Sequence, residues 1–208
     1  MIGRMSDSSR QEPRRAAIRH EYEKVGVRGF YARSGQTYRN PHEPQVRRSL
    51  ELAAREWPLD LSHVLDLAAG SGEVTLAMRE LGAKRIDAID PFTFDAYHDR
   101  TGQVAGRETF ERIAAGALAG RRWSLIACSF ALHLVERSRL PAVAYQLSLA
   151  APRLLVLAPH KRPVIQPQWG WELTHERLVQ RVRSRLYESQ SSSSATPCGP
   201  SPSPGYPS

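Results

Sequence analysis

Residues 64–78, VLDLAAGSGEVTLAM, run from an apolar strand through a glycine turn into a helix. Gly70 and Gly72 allow a tight turn and a close backbone approach to a ligand, and the helix that follows presents free N–H groups at its start. That arrangement suits a nucleotide-like cofactor. A dinucleotide fingerprint G-x-G-x-x-G would place its third glycine at position 75, which is Thr75 here, so a dinucleotide-dependent dehydrogenase is disfavoured. An acid, Asp66, stands inside the end of the strand, four positions before Gly70.

Outward from this stretch, short apolar runs alternate with helical patterns, the mark of βαβ units and a parallel sheet. Strands are expected at His63–Leu67, Arg85–Ile89, Leu125–Ser129 and Arg153–Leu157, with helices at Val74–Leu81 and Pro141–Leu149. The strand runs are nearly continuous in apolar residues, as in sheets covered on both faces. Phe110–Ile113 reads as a weakly marked further strand. Leu178–Tyr187 reads as an edge strand by its period of two, with a helix as competitor. Before the first strand, Pro44 suits the first turn of a helix whose Val46, Leu50, Ala53 and Ala54 recur at helical spacing. The organisation expected is a disordered start (1–20), an N-terminal lid and helical segment (21–60), a core domain (61–188) and an unfolded Ser/Pro tail (189–208).

The chain has 208 residues, 41% hydrophobic and 24% charged, enough for one medium α/β core. A formal net charge of +8 would suit a polyanion. Its arginines are scattered over several segments, however, so nucleic acid is not the favoured partner. Two cysteines, Cys128 and Cys198, cannot form a disulfide framework. Cys128 sits mid-strand as a core residue, and no spacing resembles a zinc site, so no metal is expected. No run approaches a membrane span, and an intracellular, cytoplasmic protein is the expectation.

The D-L-A-A-G-S-G stretch resembles the first motif of class I SAM-dependent methyltransferases, and strand 2 ends at Asp90 within IDAIDPF, where that family places a ribose-binding acid. IACSFALHLV, residues 126–135, looks like the family's fourth strand and the loop after it. The resemblance implies a three-layer Rossmann-like α/β sandwich with a mostly parallel sheet, and S-adenosyl-L-methionine (SAM) as cofactor. It implies that Asp66 orients the loop or reaches the methionine amino group. Ala68, Gly70, Ser71 and Gly72 would line the cofactor with Pro91, and Asp90 would hold both ribose hydroxyls. Ser129, Phe130 and His133 would border the methyl-transfer site, although Phe130 equally suits the core and His133 a packed position. His133 and Tyr38 are the candidate catalytic residues, since an imidazole of ordinary pKa accepts a proton near neutral pH. Two departures stand out. The family supplies an acid near the adenine after strand 3, whereas AAGALAG, residues 114–120, has none. It also ends in an antiparallel hairpin, of which this chain shows one strand, so the last of the usual seven is expected to be missing, leaving an inner edge unpaired.

FYARSGQTYRNPHEP, residues 30–44, is dense in polar and aromatic groups. Tyr31, Arg39, Asn40 and His42 are candidate lid or substrate contacts beside Tyr38. A lid would exclude water and align an acceptor with the activated methyl. LAPHKRP, residues 157–163, puts His160 and Lys161 at the same rim. The leading expectation is methyl transfer to a small-molecule acceptor. RNA or protein methylation is one alternative; a non-catalytic scaffold of this fold, or a truncated inactive product, is the other.

Overall fold

The computed structural model describes residues 39–192. The expected disordered start, Tyr31, Tyr38, Cys198 and most of the Ser/Pro tail lie outside the described residues. The elements follow in the order α1 (Glu43–Glu56), β1 (Val64–Leu67), α2 (Glu73–Glu80), β2 (Ile86–Ile89), α3 (Phe94–Thr101), α4 (Phe110–Ala114), β3 (Leu125–Ser129), α5 (Leu140–Ala150), β4 (Arg153–Ala158), β5 (Trp171–Val179) and β6 (Val182–Ser189).

One six-stranded sheet has the order β2-β1-β3-β4-β6-β5. The first four strands are parallel, with Leu67 level with Ile89 and with Cys128, and β6 runs antiparallel to both β4 and β5. Side chains alternate across the pleat. Leu65, Leu67, Ile126, Cys128, Leu154 and Val156 therefore pack on one face with Ile113 of α4 and Val143 and Leu147 of α5. Val64, Leu125, Ala127, Leu155 and Leu157 pack on the other with Val46 and Leu50 of α1 and Val74 and Met78 of α2. Burial on both faces is why the strands lack polar alternation, and it makes the three layers. Helix α1, with Pro44 in its first turn, is a full member of one layer rather than a lid.

Two expectations need correction. Phe110–Ile113 is not a strand but the helix α4, started by Thr109, whose hydroxyl accepts the Arg112 N–H at 3.3 Å. The C-terminal hairpin is complete. Leu178–Tyr187 is not one strand: it holds a turn at Gln180 and Arg181, and β5 extends back to Trp171. Leu178 is 59% exposed, while Val182 and Leu186 are buried. No inner edge is left unpaired, because β6 lies between β4 and β5. The sheet is short instead at its opposite edge, where a parallel bridge between Ile89 and Gly106 stands beyond β2 in place of a further strand. The Gly106 N–H donates to Ala88 O, and the Asp90 N–H donates to Gly106 O, both at 2.8 Å.

Candidate functional site

A cavity opens at the carboxyl ends of β1, β2 and β3, where open α/β sheets bind ligands. Its rim is built by the loops after those strands. After β1 the chain turns through Ala68 (φ 57°), Gly70 (φ 59°) and Gly72 (φ 88°). A side chain at Gly72 would meet Thr101 Cγ2 at 2.5 Å. Glycine is therefore required there for packing as well as conformation.

Hydrogen bonds from the β2 loop fix this turn. Asp90, 6% exposed, accepts the Gly70 N–H at 3.0 Å through Oδ2, and the Phe92 and Thr93 N–H groups at 2.8 Å through Oδ1. The Thr93 hydroxyl donates to Gly70 O at 2.7 Å, so both polar groups of the Gly70 backbone are held. A carboxylate has about four lone-pair sites. Three of those on Asp90 are used within the fold, which leaves room for one hydroxyl donor rather than the two expected.

Asp66 projects from β1 toward α2. Its Oδ2 accepts the Thr75 N–H at 3.0 Å and the Thr75 hydroxyl at 2.7 Å, satisfying a backbone donor in the first turn of α2. This explains the threonine at position 75. Its Oδ1 is buried without a hydrogen-bond partner. Burial, reinforced by the negative Glu73 and Asp90, pushes the Asp66 carboxyl up to about 7. Glu73 opens α2 and is 5% exposed. It accepts the Asn40 N–H at 3.1 Å and the Ser71 hydroxyl, and Arg100 lies 3.6 Å away.

Of the residues expected at a cofactor, Ala68, Gly70, Asp90, Pro91, Ser129 and Phe130 line the cavity. Asp66, Ser71 and Gly72 stand behind it: Ser71 turns to Glu73, and Gly72 packs against Thr101 and Tyr97. The Ser129 hydroxyl is buried without a hydrogen-bond partner. Phe130 takes a left-handed φ of 55° and stacks on His42, with ring centroids 5.2 Å apart. Asn40 lines the cavity, and Arg39 is exposed beside it.

Sequence reasoning missed the opposite wall, made by Glu108, Thr109, Phe110, Glu111 and Ile113. An acid near the adenine was sought in residues 114–120; an acid that does line the cavity, Glu108, stands two residues after the edge bridge at Gly106. Glu108 pairs with Arg121 at 3.0 Å through Oε1, while its Oε2 is buried without a hydrogen-bond partner. The available signal was Thr109 ahead of Phe110 and Ile113, a helix start.

His133 is not at the cavity. It lies on a 3-10 turn, Leu132–Leu134, whose Leu134 borders the cavity while Leu132 and His133 face a neighbouring groove. Its ring meets that of the exposed His160 edge-on at 5.3 Å. Burial, with His160 adding to it, lowers the His133 imidazole to about 4. It is neutral at pH 7 and a weaker base than the ordinary imidazole expected. Buried Cys128 is pushed far above the thiol range by desolvation, which fits a core residue. Among the described residues, no cluster could hold a metal ion, and no helix is long and apolar enough to cross a membrane.

No family model matches the chain. A Schizosaccharomyces pombe protein described only as uncharacterised is 33% identical over 220 residues, covering 79% of this chain and 89% of its own. The fold is shared with solved methyltransferases. Magnesium protoporphyrin IX methyltransferase of Synechocystis PCC 6803, with bound SAM, superposes with a TM-score of 0.54 at 14% identity, over 90% of this chain and 99% of that one. An O-methyltransferase family protein of Burkholderia thailandensis gives 0.55 at 17% identity, over 82% and 61%. The ribosomal protein L11 methylase of Lactobacillus delbrueckii subsp. bulgaricus gives 0.52 at 15%, over 74% and 81%.

Proposed function

Since the chain belongs to one family with the fission-yeast protein and has the class I SAM-dependent methyltransferase fold, we propose that it moves a methyl group from SAM to a small-molecule acceptor. The observation that carries this reading is the set of unpaired acceptors around the cavity. Glu108 Oε2 and Ser129 Oγ on its wall are buried acceptor atoms without hydrogen-bond partners, and Asp90 has a lone-pair site left. Buried acceptors left unpaired cost about 1–3 kcal/mol each. A ligand with an ammonium, an exocyclic amine and ribose hydroxyls would satisfy them, and its positive charge complements Asp66, Glu73 and Asp90.

When bound, SAM supplies an activated methyl on a sulfonium. The chain's own residues bind and orient. Asp66 would hold the start of α2 from behind the cavity, Asp90 would receive a ribose hydroxyl and Glu108 the adenine amine, with Pro91, Phe110, Ile113 and Leu134 as the apolar walls. Phe130, which lines the cavity and stacks on His42, would help exclude water from it. His133, neutral at pH 7, would hold the acceptor as a hydrogen-bond partner. Tyr38, with Tyr31 and Arg39, belongs to the segment proposed to close over it. Among the described residues most arginines have partners within the fold, as in the pairs Arg47–Glu80, Arg121–Glu108 and Arg153–Glu188, which favours a small acceptor over a polyanion.

The test is to supply methyl-labelled SAM and a cell extract, then separate products by size. Label in small molecules that pass an ultrafilter is the expected result. Label confined to protein or RNA would contradict the acceptor class.

A further inference from the structure

The groove beyond the 3-10 turn is about 540 Å³ in volume, within the range of small-molecule sites. Ala131 and Leu134 border the cofactor cavity, while Leu132, His133 and Val135 border the groove, so one turn of chain separates the two spaces. The groove floor is apolar, with Leu132, Val135 and the flat ring of Trp169, which is anchored on the main core. Arg137 and Arg162 also line the groove. Both residues are exposed, and neither has a carboxylate partner among the described residues. Arg139, two residues from Arg137, is by contrast engaged by Glu111 and Glu136. No aspartate or glutamate lines the groove.

The wall that carries Arg162 is held from beneath. Arg185 on β6 is 4% exposed and ion-paired with Glu176. It donates to Lys161 O and Pro163 O, each at 2.9 Å. This fork spans the backbone on both sides of Arg162 and fixes where its side chain leaves the loop. Lys161 and His160, both exposed, extend the basic rim along the same segment.

We propose that this groove recognises the remote end of the methyl acceptor, a flat apolar body bearing an anionic carboxylate or phosphate, which Arg137 and Arg162 clasp while Trp169 takes its apolar face. The methylated atom reaches past the 131–135 turn into the cofactor cavity. The assignment rests on the transferase reading above for its role, and on the groove alone for its ligand class. Planar guanidinium forks match either oxyanion in bidentate fashion, and an aromatic floor rewards a planar body.

The probes are naphthoate, naphthyl phosphate and the neutral naphthylmethanol, added to the full chain saturated with S-adenosylhomocysteine. Binding is followed by proton–nitrogen NMR on the Trp169 indole, identified with Trp169→Phe. The expected result is that at least one anionic probe shifts the Trp169 signal with the cofactor product still bound. The better of the two identifies the oxyanion. Naphthylmethanol should bind about tenfold more weakly or worse, and the double variant Arg137→Gln/Arg162→Gln should weaken the anionic probe by about tenfold or more. Calorimetric SAM affinity of that variant should stay within about twofold, which also shows that it is folded. Equal binding of the neutral probe, undiminished binding by the double variant, or displacement of the probe by S-adenosylhomocysteine would each overturn the assignment. Wild type that takes the probe but neither SAM nor its product loses the acceptor role together with the transferase reading. Wild type that takes SAM without preferring anionic probes loses the groove assignment alone.

Discussion

Ala68 holds a left-handed φ of 57° at the rim of the cavity. A left-handed L-residue costs about 1–2 kcal/mol, while glycine's extra freedom in the unfolded chain takes back about 0.5–1. Ala68→Gly should therefore raise unfolding free energy by about 0.5–1 kcal/mol in urea titrations, and a loss would contradict the strain. Asp66 gives a second expectation at this scale. Its folded pKa of about 7 lies above the unfolded value of about 3.9. Between roughly pH 4 and pH 7 the unfolded chain gives up this proton while the folded one keeps it, so the contribution of Asp66 to stability falls as pH rises. His133 acts oppositely: its folded pKa of about 4 is depressed, so its contribution is full above the unfolded value of about 6.5 and is lost as pH falls toward 4. The two oppose each other in one window, and a variant is needed to separate them. Asp66→Asn should gain on wild type by about 2–4 kcal/mol between pH 4 and pH 7, and a constant difference across that range would contradict the raised pKa.

At the scale of elements, the hairpin β5–β6 carries a strained turn. Its turn puts Gln180 (φ 47°) and Arg181 (φ 70°) both in the left-handed region. Two-residue hairpin turns of this kind favour Asn-Gly. Gln180→Asn with Arg181→Gly should stabilise the protein by about 1–2 kcal/mol, read as a higher urea midpoint at unchanged slope. The same residues explain why the hairpin was illegible in the sequence: nothing at 180–181 signals a turn, so two strands read as one. Arg185, charged as it is, is buried because Glu176 and the carbonyls of Lys161 and Pro163 satisfy it. Pairing across strands and loops is not encoded locally. The parallel half of the sheet was legible, because strands covered on both faces must be apolar throughout. Arg185→Met keeps an apolar stem but removes three partners, and should cost about 1–3 kcal/mol while speeding tryptic cleavage after Lys161. Unchanged cleavage would contradict the anchoring of that loop.

Across the whole molecule, the parallel strands bring three loops to one end of the sheet, and each supplies one wall of the cavity. The loop after β1 was readable from its glycines, and Asp90 from its distance to them. Glu108 was not, because the strand that would have announced it has shrunk to a single bridge at the sheet edge. Nor could sequence show that one 3-10 turn separates the cavity from the basic groove, since that follows from the side each residue of 131–135 faces. The most direct measurement is a calorimetric titration of SAM into wild type and into Leu134→Trp, which fills the cavity from a partly exposed wall position without touching the glycine turn. Micromolar binding by wild type that Leu134→Trp weakens by about tenfold or more, with both proteins folded, is the expected result. A folded wild type that binds no SAM, or a filled variant that binds it equally well, would contradict the assignment of this cavity to the cofactor.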